Sequence, residues 1–260
     1  MASSSDSNQP KSLLDSVEAS VSGALSITNL RHRSAVLKLR PFSGRLLVAS
    51  IFETIRQNYL ASNASANKDR SKQNWRWHSL QPQIAPHNRS PEVVIERAIA
   101  AACAELNRTD WANQIPVASG LVEGAGDGRR AIDLVRRHGE NHFELIELKI
   151  ASDNPLYASV EIVGYACLWL LARIDRPGRS SELLDAERID LTVLAPEAYY
   201  ARYPVAEIES SFDEGVRALG IRMGVAMSFG FRRLDSSINA DSLPPPQELL
   251  DLLEHSSRYV

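Results

Sequence analysis

Two apolar runs that carry charge in their interiors constrain this chain more than any other feature. The first is Ala131-Ile132-Asp133-Leu134-Val135, and the second, after a short polar turn, is Phe143-Glu144-Leu145-Ile146-Glu147-Leu148-Lys149-Ile150. Alternate residues of a strand share a face, so Glu147 and Lys149 point one way while Ile146, Leu148 and Ile150 point the other. A run this rich in Ile, Leu and Phe predicts a central, largely buried strand, and an unpaired buried ion costs several kcal/mol. If Asp133 lies beside Glu147 on the neighbouring strand, two carboxylates and an ammonium converge in a cage suited to an oxygen-loving divalent cation. The competing reading is plainer: Glu147 and Lys149 form an ion pair on a half-exposed strand, and Asp133 marks a turn.

The length, 260 residues, suits one large domain or a domain with a substantial extension, and 44% hydrophobic against 23% charged residues is ordinary for a globular protein. Cys103 and Cys167 each lie in an apolar run and read as small core residues of a reducing compartment. The first ten residues have neither a basic start nor an apolar core, and no run is expected to span a membrane, so a cytoplasmic protein is expected. Net charge is −3, yet residues 1–89 hold twelve Lys/Arg against five Asp/Glu while the remainder is acidic. That asymmetry reads either as a surface that meets a polyanion or as a solvated basic face.

Residues 1–12 are expected to be a disordered tail, and 13–89 a basic, mainly helical region with helices over 13–27 and 46–61 and a mobile loop from Ser62 to Asn74. Trp75-Arg76-Trp77-His78 interleaves aromatics with cations, a pattern that either stacks on bases or packs beside a domain. Ser90-Pro91-Glu92 opens a helix to about Leu106, with a good N-cap, Pro in the first turn and an acid at the positive end of the dipole. Strands follow over 115–122, 130–136 and 143–150, with Gly124 to Gly128 as a hairpin turn and not a phosphate loop, because no Lys-Ser/Thr follows it. His138 and His142 fall at the next turn and read as solvated rather than metal-bound. Beyond them come a helix over 156–173, a strand over 189–194, a helix over 212–219 and a strand within 221–234, with Gly224 and Gly230 as bulges. Tyr199, Tyr200 and Tyr203 read as packing residues. Pro244-Pro245-Pro246 then precedes an amphipathic helix over 247–254, whose leucines pack on the domain or on a partner copy in a homodimer. The expectation is an α/β fold over residues 90–240, with the C-terminal 241–260 as an appendage.

Asp133, fourteen residues before Glu147-Leu148-Lys149, with an acid-bearing helix upstream and another helix downstream, resembles the PD-(D/E)XK nuclease superfamily over about residues 90–195. The resemblance implies a restriction-endonuclease-like αβββαβ core with a mixed central sheet flanked by helices. It implies that Asp133, Glu147 and the Leu148 carbonyl hold Mg²⁺ or Mn²⁺, that Lys149 assists the attacking water or the transition state, and that Glu96, or alternatively Glu92, adds a helix acid. Two departures stand out: Ile132 replaces the proline common before the first acid, and Glu161 stands where relatives carry Gln, four residues before the matching Tyr165. The substrate implied is nucleic acid, DNA ahead of RNA; Arg129, Arg130, Arg136 and Arg137 flank the Asp133 strand and, with Tyr165 and the Trp75-Arg76-Trp77 stretch if it does not pack, are the candidate contacts to it.

Overall fold

A computed structural model describes residues 9–77, 80–122 and 130–260. Helices α1 (Val17–Ala24), α2 (Arg33–Val36) and α3 (Gly44–Ala61) come first, then α4 (Pro91–Glu105), β1 (Trp111–Pro116), β2 (Ala131–Gly139) and β3 (His142–Leu148). They are followed by α5 (Pro155–Ile174), β4 (Arg188–Pro196), α6 (Glu197–Tyr200), α7 (Val205–Met223), β5 (Ala226–Leu234) and α8 (Pro246–Glu254). The five strands form one mixed sheet in the order β1-β2-β3-β4-β5, antiparallel across β1, β2 and β3 and parallel from β3 through β5.

Alternation along the strands divides the core in two. Phe143, Leu145, Val135 and Leu191 face a large cluster shared with α5, α1, α3 and α7. Leu134, Ile146, Leu148 and Leu194 face a smaller cluster closed by Ile95, Ile99 and Cys103 of α4 and Leu249, Leu250 and Leu253 of α8. The leucines of α8 therefore pack on their own domain, which resolves the two readings of that helix in favour of the intramolecular one. Helix α5 is buried nearly all round, as a helix apolar on every face requires. It is long and apolar enough to cross a membrane, contrary to expectation, but 89% of its apolar window is buried inside the protein, where it serves as the core helix.

Several local expectations change. The first strand is 111–116 and not 115–122: Val117 and Val122 are buried, but the chain turns at Ala118, which has positive φ, so its apolar residues pack from a loop. Gly224 is not a bulge but the left-handed C-cap of α7, φ 69°, where a residue without Cβ carries no strain. The segment after α3 is pinned to the α5–β4 connection, with Lys68 paired to Asp175, Asp69 accepting from the Gly178 N–H, and Arg179 donating to the Ser71 carbonyl at 2.6 Å. In the expected tail, Lys11 bonds Asp15, while residues 1–8 lie outside the described residues. The basic N-terminal helices join the main core instead of standing beside it.

Close approach of α3 and α7 explains two glycines. A Cβ on Gly44 would lie 1.5 Å from the Ser211 carbonyl oxygen, and one on Gly215 would lie 2.3 Å from the Gly44 oxygen. The outer edge of β5 is closed by side chains and by the C-terminal backbone: Asp213 accepts from the Phe229 N–H and Glu209 from the Phe231 N–H, while the Arg233 N–H donates to the Ser257 carbonyl and the Tyr259 N–H to the Phe231 carbonyl.

Candidate active site

The register that pairs Leu134 with Ile146 sets Asp133 opposite Glu147 on adjacent antiparallel strands. Asp133 Oδ2 accepts the Leu148 N–H at 2.9 Å, which fixes the carboxyl against the end of β3. Lys149 follows directly; its own N–H bonds the Leu194 carbonyl of β4, and its Nζ lies 2.7 Å from Glu147 Oε1 and 2.9 Å from Glu161 Oε2 of α5. The ion pair of the plainer reading is present, but Glu147 and Lys149 are both buried and not on a half-exposed strand.

Acid outnumbers base here, and the electrostatics follow. Burial pushes the Asp133 carboxyl up to about 6 against the pull of Lys149 and the Leu148 N–H, and burial together with Asp133 and Glu161 holds Glu147 well above the carboxylate range. For Lys149, burial would favour the neutral amine, but Glu147, Glu161 and Asp133 outweigh it and keep the ammonium. Burial likewise opposes ionisation of Glu161, yet Lys149 holds it ionised. Glu147 Oε2 is buried and receives no donor, and Glu147 and Glu161 meet carboxyl to carboxyl. Two ionised carboxylates in such contact repel; a shared proton or an intervening cation removes the repulsion.

The two helix acids divide their tasks. Glu96, buried on α4, accepts from Asn113 Nδ2 at 3.0 Å and Gln114 Nε2 at 3.1 Å, and burial with the nearby Asp133 pushes it up to about 8. Glu92 accepts from the N–H groups of Ile150 and Ala151 and from the Ser152 hydroxyl, and so braces the turn behind Lys149. Burial opposes that carboxylate's charge, but these donors and its helix position keep it below the usual range.

Arg130 Nη1 donates to Glu161 Oε1 at 3.2 Å and also lines a cleft of about 520 Å³ with Arg70, Arg76, Gln73, Asn74 and Gln114. Gln114 and Arg130 therefore belong both to the cleft and to the acid cluster. Arg31, which the sequence did not single out, reaches the same quarter from the N-terminal region: it bonds Tyr157 and lies 3.2 Å from Asp153.

Other expected contacts fall elsewhere. Trp75 is 1% exposed inside the main cluster, so it packs instead of stacking on a base. Trp77 sets its ring edge to face on Phe143 at 4.9 Å, beneath Arg137. Tyr165 is buried, with its hydroxyl on Glu161 Oε1 at 3.1 Å. Arg136 pairs with Glu254 and Arg137 with Glu182, and neither lines the cleft. Arg129, His78 and the turn from Gly124 to Gly128 lie outside the described residues. His138 is exposed and meets Glu144 at 2.9 Å, while His142 is half-buried and meets Asp190 at 2.6 Å.

Oxygen donors of Asp133 and Glu147, with the orphaned Glu147 Oε2, suit a hard divalent ion. Against this, no three acidic, histidine or cysteine side chains among the described residues are already set to hold a metal, and the Lys149 ammonium sits between Glu147 and Glu161. The donor chemistry fits, with Lys149 on Glu147 Oε1 and Glu147 Oε2 left without a hydrogen-bond partner. Comparison with protein-family models, with curated proteins and with solved structures finds no match to this chain. Fold and site define an α/β protein with a five-stranded mixed sheet and a buried acid–lysine cluster at the end of its antiparallel hairpin.

Proposed function

We propose that this protein is a metal-dependent nuclease that hydrolyses phosphodiester bonds in DNA, and that its helix, three strands, helix and strand form a restriction-endonuclease-like core. The observation that carries the reading is the placement of Asp133 opposite Glu147 with Lys149 at 2.7 Å from the latter, beside a cleft lined by three arginines. Asp133 and Glu147, with the Leu148 carbonyl, would hold Mg²⁺ or Mn²⁺, which would supply polarisation of a phosphoryl group and an acidified water. Lys149, kept cationic by its carboxylates, offsets negative charge on a phosphoryl oxygen. Glu92 and the Leu148 N–H hold the turn and the first carboxylate in place. Arg70, Arg76 and Arg130 position a phosphate backbone without reading its sequence.

A second reading, nucleic-acid binding without cleavage, is favoured by the closed ion-pair set of Lys149 with Glu147 and Glu161. The two part in one assay: purified protein with plasmid, linear and single-stranded DNA and with RNA, in Mg²⁺ or Mn²⁺. Metal-dependent products support the nuclease; salt-sensitive binding with no product supports the binding protein. Cleavage unchanged in both Asp133→Ala and Lys149→Ala would remove the site assignment.

A further inference from the structure

Glu161 gathers three donors on one carboxylate. Lys149 Nζ donates to Oε2 at 2.9 Å, while Arg130 Nη1 at 3.2 Å and the Tyr165 hydroxyl at 3.1 Å donate to Oε1. An ammonium, a guanidinium and a hydroxyl converging on two anionic oxygens is the donor set that also binds a phosphoryl group. Arg130 is 39% exposed at its side chain and opens onto the cleft, whereas Glu161 is 11% exposed behind it. No acidic side chain lines the cleft among the described residues, and Glu161 meets one of its three arginines, Arg130, from behind.

We propose that Glu161 occupies the place of a substrate phosphate in the resting protein, as a built-in anionic competitor that must yield Arg130 and Lys149 when a nucleic-acid strand enters the cleft. The inference rests on the reading of that cleft as a nucleic-acid site; it does not require hydrolysis. Charge decides the direction. Glu161 bonds both Lys149 and Arg130, and Glu161→Gln removes a negative charge that faces the two cations together. The amide keeps the side chain's shape and an acceptor for Tyr165, but it binds the two cations less strongly than a carboxylate does. An incoming phosphate then displaces a weaker rival. Glu161 acts here as a positioning residue: it sets where Arg130 and Lys149 wait and how much phosphate binding energy is spent in freeing them.

The test measures binding of a fluorescein-labelled deoxyoligonucleotide to the full chain in EDTA by anisotropy, so that no cleavage intervenes. Glu161→Gln is expected to bind roughly tenfold tighter than the unaltered protein, the factor that corresponds to weakening one charge-assisted hydrogen bond. Arg130→Gln is expected to bind less tightly, and in Glu161→Gln/Arg130→Gln most of the gain disappears. Equal or weaker binding by a Glu161→Gln protein whose melting matches the parent overturns the proposal. If that variant does not fold, Arg130→Gln decides: unchanged affinity overturns the proposal, and a loss supports it. Asp133→Asn separates the two claims. A gain from Glu161→Gln that persists in Asp133→Asn, with no metal-dependent cleavage by the unaltered protein, leaves the competitor standing and removes the nuclease; metal-dependent cleavage by the unaltered protein with no change of affinity in Glu161→Gln does the reverse.

Discussion

Lys149 Nζ lies 2.7 Å from Glu147 Oε1, with the two side chains only 10% and 5% exposed, and this pair is the electrostatic centre of the site. A pair so enclosed loses hydration that a surface pair keeps, so removing one partner strands the other. Lys149→Met is therefore expected to destabilise the fold by about 3–5 kcal/mol near neutral pH, against less than about 1 kcal/mol for an exposed pair. Urea unfolding checks the magnitude. A cost below about 1 kcal/mol, the range of an exposed pair, would contradict the enclosed pair as the electrostatic centre of the site.

Glu96 sets a pH dependence. Its carboxyl is pushed up to about 8 in the folded protein from an ordinary 4.5, by burial and by Asp133. The folded state thus holds this proton more tightly than the unfolded chain does. Its stabilising contribution is complete below about pH 4.5 and fades as pH rises through about 8. Glu96→Gln is expected to lose less melting temperature than the parent between about pH 5 and pH 8. Parallel melting curves for the two proteins would contradict the assignment.

Trp75 distinguishes packing from base stacking. Its ring is 1% exposed, and truncation of a buried aromatic costs about 3–5 kcal/mol. Trp75→Ala is expected to lower stability by that order. A variant with unchanged stability and weakened oligonucleotide binding would restore the stacking role.

The α3–α7 contact leaves no room for a methyl group. Gly44→Ala places Cβ 1.5 Å from the Ser211 oxygen, against backbone and not a flexible side chain, so the helices must part. A loss of at least about 1–3 kcal/mol is expected by thermal or urea unfolding. A neutral substitution would show that α3 docks less closely than described.

Much of the site was legible because strands repeat every two residues. Apolar alternation around Asp133 and Glu147 determined which residues share a face, and antiparallel pairing then put the acids opposite each other. Ser90 and Pro91 marked the start of α4 correctly, although the Ser90 side chain makes no capping bond. What could not be read is long-range. Tyr165, one helical turn on from Glu161, is a local partner, but nothing local says that Lys149 and Arg130 will meet on the same carboxylate. Arg136 and Arg137 looked like a phosphate grip because cations beside a site share its stretch of sequence. Their partners Glu254 and Glu182 lie 118 and 45 residues away, and neither arginine lines the cleft. Val117 and Val122 suggested a strand because burial, not pairing, selects apolar residues, and a loop folded over the core buries them equally well.

The most direct test of the central claim is the single-turnover rate of DNA cleavage in Mg²⁺ or Mn²⁺ by the full chain and by Asp133→Asn and Glu147→Gln, each first shown to melt as the parent does. The account predicts metal-dependent phosphodiester hydrolysis by the parent and a loss of at least about a hundredfold in each variant, on the order seen when electrostatic stabilisation of a transition state is removed. Cleavage that persists undiminished in both folded variants, or no cleavage by the parent with any DNA in either metal, would contradict it.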